Sequence, residues 1–456
     1  MRIVFIVFLS LVIISCEKTD ILPVNQSTEI TTPVVLKTTV EVDTLVINEP
    51  SLSPKEVSLS AYHVSPMTHY MVGNQEYILL SSNNNNETPT IQLKKINGNW
   101  GFLKKYHEAS MGVGRNYEFT KDGIVYADHG WEGEPRPFGK LHYGKFQGDD
   151  IKWTTVTVGN GRSFYHAVST GDINGDGLLD LVGIHMGIRN HDWGDVFHTF
   201  TQTTNGSFIE NRNLVNHDKG NYNWYNSNGA ILVQDLNKDG RPEIIKATYG
   251  KITSEKRYSL LIYSFNNLTG QYEVFREPNQ LGIYDNPNIG TTSIKANDFD
   301  GDGDVDLALA FEGQYNGIQI YENKGNLEFI PKDLLKFTSP IQDSPDYNER
   351  VGEMEFREFD LIDYDGDGDK DIILRPFHHG SLFRVSRQKG IILNNLIWRN
   401  DGTKFNRLTT EIKVDDLFVD YLKPFVVDGV FKFIGINSEG SMGGRTIKVV
   451  EITPKF

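Results

Sequence analysis

The stretch DFDGDGDVD, residues 298–306, decides the fold of this chain. Carboxylates stand at its positions 1, 3, 5 and 9 (Asp298, Asp300, Asp302 and Asp306), and Gly303 stands at position 6. Like charges this close repel one another unless a hard cation lies among them. Ligands that are all oxygen atoms favour Ca²⁺ over zinc or copper. The stretch therefore predicts a calcium-binding loop.

The same pattern occurs three more times along the chain. The first residues of the four copies lie 63, 63 and 65 residues apart. The ligands predicted for the other copies are Asp172, Asn174, Asp176 and Asp180; Asp235, Asn237, Asp239 and Glu243; and Asp363, Asp365, Asp367 and Asp371. Regular spacing identifies a repeat protein. The repeat predicts about four bound Ca²⁺ ions.

An EF-hand or a dockerin-like pair is the main alternative for acidic loops of this kind. Those loops need their last acidic ligand at position 12 and a helix after the loop. Here the last acid is at position 9, and the segments that follow (LVGIH, IIKATY, LALAF and IILRPF) are short β-type runs. The pattern favours loops between β-strands.

Composition agrees with an all-β chain and limits the partners. Forty-three glycines and 11% aromatic residues suit many strands and turns. The predicted ligands carry nearly all of the net charge of −15, and four Ca²⁺ ions would bring it to about −7. No basic stripe is present, so nucleic acid is not an expected partner.

The N-terminus predicts a secreted, lipid-anchored protein. Residues 1–15 have a basic start and an apolar run too short to span a bilayer, as in a signal peptide. Ile13-Ile14-Ser15-Cys16 resembles a bacterial lipobox, which implies cleavage before Cys16 and acylation of that single cysteine. Residues 16–54 are rich in Thr, Pro, Val and Asn and predict a flexible tether. The implied location is the bacterial outer membrane, with a lipid as the only membrane attachment. Glu17-Lys18 weakly resembles the surface-export signals of Bacteroidetes lipoproteins, which points to the cell surface.

Degenerate copies of the strand that follows each loop extend the repeat in both directions. They are Glu76 to Ser82, Gly123 to Gly130 and Asp428 to Asn437, and none carries the loop acids. Seven copies, each followed by a hairpin, predict a seven-bladed β-propeller over residues 55–456 with Ca-binding loops in four blades. The last copy lacks a fourth strand, and Glu56 to Val64 is predicted to supply it and to close the ring.

The motif DxDGDGxxD, followed by an apolar strand and a Y-x-N-x-G hairpin, resembles the FG-GAP/VCBS repeats. The integrin alpha-subunit propeller is built on the same repeat. The resemblance covers roughly residues 60–456 and implies Ca²⁺ bound between the first and second strands of a blade. It also implies that the ion mostly braces the blade.

A ligand surface is predicted on the face opposite the metal loops, where long connections collect ring and cationic side chains. Its candidate residues are His129, Trp131, Arg162, Tyr165, His166, His185, Arg189, His191, Trp193, Trp224 and His378. Aromatic platforms beside imidazole and guanidinium donors suit a glycan, and the same face suits a cell-surface protein. Long polar loops with no ligand are the alternative.

Two other functions are compatible with the sequence. Some calcium-containing seven-bladed propellers are polysaccharide lyases, in which His and Tyr act as acid and base and Arg neutralises the uronate. The residues that could be placed in that way here are Tyr165, His166, His129, His185 and Arg189. The same face could instead carry a hydrolase. A structural adhesin needs no such site. We expect a binding protein in preference to an enzyme, because the lyase comparison rests on the fold without a matching motif and no GxSxG or HExxH motif occurs.

Overall fold

The computed structural model describes a chain of β-strands and turns. The described residues are 35–36, 39–48, 67–81, 83–128, 139–156, 164–186, 197–216, 229–247, 260–276, 290–312, 317–336, 358–375, 391–392, 397–410, 413–414, 421–438 and 446–455. Within these ranges every regular element is a strand, and no helix has the length and hydropathy needed to cross a bilayer. The signal peptide and Cys16 lie outside them.

The first two blades share one seven-stranded sheet. Two strands come before it, β1 (Val35–Leu36) and β2 (Thr39–Asn48). The shared sheet contains β3 (Met67–Val72), β4 (Gln75–Leu80), β5 (Asn83–Ile96), β6 (Asn99–Phe119), β7 (Gly123–Asp128), β8 (Leu141–Gln147) and β9 (Asp150–Val156). The 21-residue β6 ends blade 1 by pairing with β5, and begins blade 2 by pairing with β7.

Blades 3, 4 and 5 are separate four-stranded antiparallel sheets. Their strands are β10 (Phe164–Gly171), β11 (Asp180–Met186), β12 (Phe197–Gln202) and β13 (Phe208–Glu210); β14 (Ile231–Gln234), β15 (Glu243–Ala247), β16 (Leu260–Asn266) and β17 (Gln271–Arg276); and β18 (Gly290–Asn297), β19 (Asp306–Glu312), β20 (Gly317–Asn323) and β21 (Phe329–Lys336). In each blade the strands follow one another in chain order.

Blades 6 and 7 complete the ring. Their strands are β22 (Glu358–Ile362), β23 (Asp371–Arg375), β25 (Ile397–Asn400) and β26 (Phe405–Thr410), with β1 parallel to β26; then β28 (Tyr421–Val427), β29 (Val430–Ser438) and β30 (Thr446–Lys455), with β2. A small separate ladder joins β24 (Ile391–Ile392) to β27 (Lys413–Val414). Counted over the described ranges, the fold is the all-β, seven-bladed propeller that the repeat predicts.

The fourth strand of blade 7 comes from the N-terminal part of the chain. β2 pairs antiparallel with β30 along its whole length, from Thr39 opposite Lys455 to Asn48 opposite Thr446. The predicted tether over residues 16–54 is therefore wrong for Thr39–Asn48. Its Thr and Val content, which suggests a linker, is also the composition that strands favour. The closing strand predicted at Glu56 to Val64 lies outside the described residues.

The apolar core lies between neighbouring blades. One cluster joins the last blade to the first through Phe425, Ile434 and Val449 on one side and Ile78 and Leu93 on the other. Equivalent clusters fill the spaces between the other blades. Because both faces of a blade are buried, its second strand is a nearly continuous apolar run, as the sequence of β19 shows.

Side chains from non-neighbouring blades meet around the axis. The Lys423 ammonium of blade 7 donates to the Tyr117 hydroxyl of blade 2 and lies 4.4 Å from the centre of its ring. Arg375 of blade 6 lies 5.5 Å from the same ring and is paired with Asp360. These contacts span the ring, so the inner strands converge on one axis.

Candidate metal centres

The four acidic loops join the innermost strand of blades 3 to 6 to the second strand. They lie between β10 and β11, β14 and β15, β18 and β19, and β22 and β23. The acid at position 9 is in each case the first residue of the second strand: Asp180, Glu243, Asp306 or Asp371. A strand follows each loop directly, which excludes the EF-hand alternative.

The carboxylate at position 1 organises the backbone of each loop. In blade 5, Gly301 N donates to Asp298 Oδ1 at 2.8 Å, and Gly303 N donates to Asp298 Oδ2 at 2.9 Å. The other loops make the matching bond from the position-6 amide. The position-6 glycines have φ between 80° and 101°, a region that a side chain disfavours. Glycine at position 6 therefore allows each loop to turn sharply.

The carboxylate at position 9 is buried and ties the second strand to the loop and to the third strand. Asp306 is 1% exposed; it accepts from Phe299 N at 2.9 Å within the loop and from Asn323 N at 2.8 Å on the third strand. The same pair of bonds is made by Asp180 and Asp371. The longer Glu243 accepts instead from Leu236 N, Asn237 Nδ2 and Ser264 Oγ.

Burial of these acids has an electrostatic consequence. Desolvation raises the pKa of Asp180 and Asp306 to about 6, and that of Glu243 and Asp371 to about 7. Hydrogen bonds from backbone amides oppose this rise, and neighbouring loop carboxylates add to it. A cation inside the loop reverses the repulsion.

The residues of the loops fit a hard divalent cation. Oxygens of Asp298, Asp300 and Asp302 lie within 4.8 Å of one another, and so do those of Asp363, Asp365 and Asp371. In blade 4 the buried Oδ1 of Asp235 has no hydrogen-bond partner. A buried carboxylate oxygen without a donor is costly unless a cation completes its surroundings. These side chains would hold Ca²⁺ and connect two strands through it.

Adjacent loops are clamped to each other, a feature that the sequence reasoning missed. Asn323 Nδ2 of blade 5 donates to Leu236 O in the loop of blade 4 at 3.1 Å. Asn400 Nδ2 of blade 6 donates to Phe299 O in the loop of blade 5 at 2.9 Å. These are the asparagines of the Y-x-N-x-G pattern, or W-x-N-x-G in blade 6, and that pattern was the available signal.

Blade 4 makes the same connection with a different residue. Its third strand has Phe265 where the next two blades have asparagine. Arg241 Nη2 instead donates to Ile173 O in the loop of blade 3 at 3.1 Å, and its guanidinium carbon lies 3.2 Å from the centre of the Phe265 ring. The position-2 carbonyls of three loops are thus held by the following blade, so the loops lie side by side at one end of the propeller.

Three residues of the predicted ligand face lie in described segments. Tyr165 is fully buried, and its hydroxyl is 3.0 Å from His198 Nδ1. A side chain at Gly183 would approach the Tyr165 ring to 2.8 Å, so this glycine makes room for the ring inside the fold. His166 is also buried, and the backbone of His185 lies opposite Tyr165 in the ladder. Tyr165 is therefore a core ring, not an exposed platform.

The remaining residues of that face fall outside the described segments. They are His129, Trp131, Arg162, Arg189, His191, Trp193, Trp224 and His378. Their prediction as ligand contacts rests on the sequence alone.

Comparisons with known proteins agree with the geometry. Residues 298–374, which include the loop of blade 5 and that of blade 6, match the family model described as an FG-GAP-like repeat. A search of the curated proteins gave no match.

Several solved structures are similar to this chain at low identity. The periplasmic gluconolactonase PpgL of Pseudomonas aeruginosa has a TM-score of 0.42 at 8% identity, covering 84% of this chain and 98% of the gluconolactonase. The fungal Aleuria aurantia lectin, a six-bladed β-propeller with a fucose recognition mode, has a TM-score of 0.35 at 11% identity, covering 61% and 80%. The exotype rhamnogalacturonan lyase YesX has a TM-score of 0.30 at 14% identity, covering 83% and 63%.

Proposed function

Since residues 298–374 form an FG-GAP-like repeat within a seven-bladed β-propeller, we propose that this protein is a calcium-stabilised binding protein of the bacterial cell envelope. Ca²⁺ in the acidic loops braces one end of the propeller. The opposite end binds a glycan or a cell-surface protein. A lipid on Cys16 attaches the protein to the outer membrane.

The placement of the acidic loops is the observation that carries this proposal. All four join first to second strands, and the clamps between them put them at one end. The second strands therefore end, and the third strands begin, at the other end of the propeller. The sequence between those strands includes residues 187–196, 248–259 and 376–390, each longer than the acidic loops. Long connections on a braced scaffold are a common place for binding residues.

The residue types in those connections support a glycan ligand. Arg189, His191 and Trp193 fall between β11 and β12, and His378 falls after β23. Indole rings stack on sugar faces, while imidazole and guanidinium groups donate to hydroxyl and carboxylate oxygens. An acidic or neutral polysaccharide therefore suits this face better than an apolar ligand.

Binding to a glycan array tests the proposed ligand face. We expect the double variant Arg189→Ala, Trp193→Ala to lose at least tenfold in affinity for the glycans that the wild type binds. Lys145→Ala is the matched control, because Lys145 is about half exposed and pairs with Asp122 at the metal-loop end of blade 2. Equal binding by the double variant would refute the ligand face, and a wild type that binds no glycan but captures a surface protein would favour adhesion.

A polysaccharide lyase or hydrolase on the same face is the alternative function. The burial of Tyr165 and its contact with His198 make it a poor catalytic base, because a base must reach the substrate. Incubation with acidic polysaccharides separates the possibilities. New absorbance from unsaturated uronate would identify a lyase, new reducing ends alone would identify a hydrolase, and neither product is expected of a binding protein.

Membrane attachment is tested through Cys16. We expect the wild type to fractionate with the outer membrane and to incorporate a labelled fatty acid. Cys16→Ala should do neither while keeping the same glycan binding. A wild type that carries no fatty acid would overturn the lipid anchor without touching the other parts of the proposal.

A further inference from the structure

One residue of the third strand lies beside each acidic loop and differs in charge from blade to blade. The ladder pairs Leu181 with Phe200, Ile244 with Tyr263, Leu307 with Tyr321 and Ile372 with Trp398. One residue further along, opposite the position-9 acid, stand Thr201, Ser264, Glu322 and Arg399. This site is therefore neutral in blades 3 and 4, acidic in blade 5 and basic in blade 6.

Arg399 occupies the acidic loop of its own blade. Its Nε lies 2.7 Å from Asp365 Oδ2, and its Nη2 lies 3.0 Å from Asp367 Oδ2. Those carboxylates are positions 3 and 5 of the loop, two of the oxygens that a calcium ion needs. A guanidinium is permanently charged, and its fork of donors matches carboxylates. The ion pair and a metal ion thus require the same oxygens.

The other loops have different surroundings. In blades 3 and 4, positions 3 and 5 contact each other through Asn174 and Asp176, and through Asn237 and Asp239, and no ion pair reaches them within the described residues. In blade 5, Lys332 lies 3.2 Å from Asp300, but it also lies 3.7 Å from Glu322. Glu322 is also paired with Lys324, and Lys238 of blade 4 lies 2.9 Å from Asp304, at position 7 of the blade 5 loop. The lysines around blade 5 therefore share carboxylates that are not predicted ligands. Arg399 instead makes its ion pairs with two predicted ligands, Asp365 and Asp367.

We infer that Arg399 acts as the resident cation of the blade 6 loop, so this loop binds Ca²⁺ more weakly than the loops of blades 3, 4 and 5. The inference rests on the proposed calcium bracing and deepens it. The third-strand residue sets the affinity of each loop, because it either neutralises the ligand carboxylates or leaves them for the metal. Blade 6 keeps its loop ordered without calcium.

Calcium titration of the metal-stripped, full-length protein tests this inference. We expect calorimetry to show three tight sites and a fourth at least tenfold weaker. Arg399→Thr introduces the residue type that blade 3 has at this position, Thr201. It should raise the calcium affinity of the fourth site to that of the others. Glu322→Thr is the matched control, because it removes a negative charge at the same strand position in blade 5. It should weaken one tight site several-fold and leave the weak site unchanged.

A second readout separates competition from a merely structural role. In chelator, Arg399→Thr should lower the thermal midpoint relative to wild type, and saturating calcium should restore it. Four equal sites in the wild type, or a fourth site that Arg399→Thr leaves unchanged, would overturn the role of Arg399 while keeping the bracing. Absence of calcium binding by every loop would overturn both. Unfolding of the variant under all conditions would show that Arg399 has a role that calcium cannot replace, which also contradicts the inference.

Discussion

Blades 3 to 6 and blades 1, 2 and 7 connect their first two strands in different ways. In the first group the connection is a nine-residue acidic loop with a buried carboxylate. In the second group it is a short turn, with Gly73 between β3 and β4 and with Asp428 and Gly429 between β28 and β29. The same two strands are therefore joined with and without an acidic loop.

Neighbouring blades are also tied in different ways. The acidic loops use amide and guanidinium clamps onto backbone carbonyls. Blades 1 and 7 use a buried carboxylate instead: Glu451 accepts from Lys95 at 2.5 Å and from Trp100 at 2.8 Å. A propeller blade can thus be fixed by protein groups alone. The proposed calcium sites would confine any dependence on calcium to the blades that carry acidic loops.

Removal of calcium should have the largest effect and should fall on blades 3 to 6. At a free calcium concentration 100-fold above its Kd, each bound ion stabilises the fold by about 2.7 kcal/mol. Loss of three tight ions should lower the thermal midpoint by many degrees. Differential scanning calorimetry with and without chelator measures this, and magnesium at equal concentration is the control. An unchanged thermal midpoint would show that calcium does not stabilise blades 3 to 6, and so would contradict the proposed difference from blades 1, 2 and 7.

Replacement of a buried loop acid should cost stability even without calcium. Asp306→Ala leaves the amides of Phe299 and Asn323 without an acceptor, at about 3 kcal/mol in total. Asp302→Asn is the control, since Asp302 is exposed and its change should matter only when calcium is present. Chemical denaturation in calcium and in chelator compares them. Equal losses for the two variants in chelator would show that position 9 has no structural role of its own.

Glu451 should give blades 1 and 7 an acid-sensitive but calcium-independent contact. Burial alone raises the pKa of Glu451, but hydrogen bonds from Lys95 and Trp100 outweigh it and hold the pKa below its usual 4.5. Its contribution is therefore present above pH 4.5 and is lost as the pH falls through the lowered value. We expect Glu451→Gln to cost about 2 kcal/mol at neutral pH and to flatten the acid limb of the stability curve. A loss that depends on calcium would contradict this assignment.

The inter-blade clamps should have the smallest effect. Asn323→Ala removes the bond to Leu236 O in the loop of blade 4, a bond to Val305 O in its own blade and the acceptor of Gly325 N, for a loss of about 1.5 kcal/mol. Its expected signature is reduced calcium affinity in blade 4, whose ligands it does not touch. Glu322→Thr, next to it, should change only blade 5. Unaltered affinity of the blade 4 loop in Asn323→Ala would show that the clamps do not couple the sites.

The sequence predicts the repeat well because carboxylates spaced this closely repel one another. They are tolerated where a loop between two strands supplies backbone amides or a cation. Their spacing predicts the blades, and the apolar runs after Glu76 and Gly123 predict second strands without acids; both strands are present. The closing strand is harder. β2 has the composition of a linker, and only its pairing with β30 distinguishes the two.

Contacts between repeats are not readable from one sequence. Arg241 and Asn323 perform the same clamp with different side chains, and the register that makes them equivalent appears only in three dimensions. Tyr165 looks like a surface ring in sequence, but Gly183 on the neighbouring strand admits it to the core. The proposed effect of Arg399 on calcium affinity likewise depends on which acidic loop lies beside its strand.

Hydrogen exchange, followed along the chain with and without calcium, tests the central claim most directly. We predict that calcium slows exchange at the loop amides of residues 172–180, 235–243 and 298–306, with a smaller change at 363–371 and none at the turns near Gly73 and Gly429. Equal exchange in both conditions at the acidic loops, or the same protection in all seven blades, would contradict a propeller braced by calcium at one group of blades.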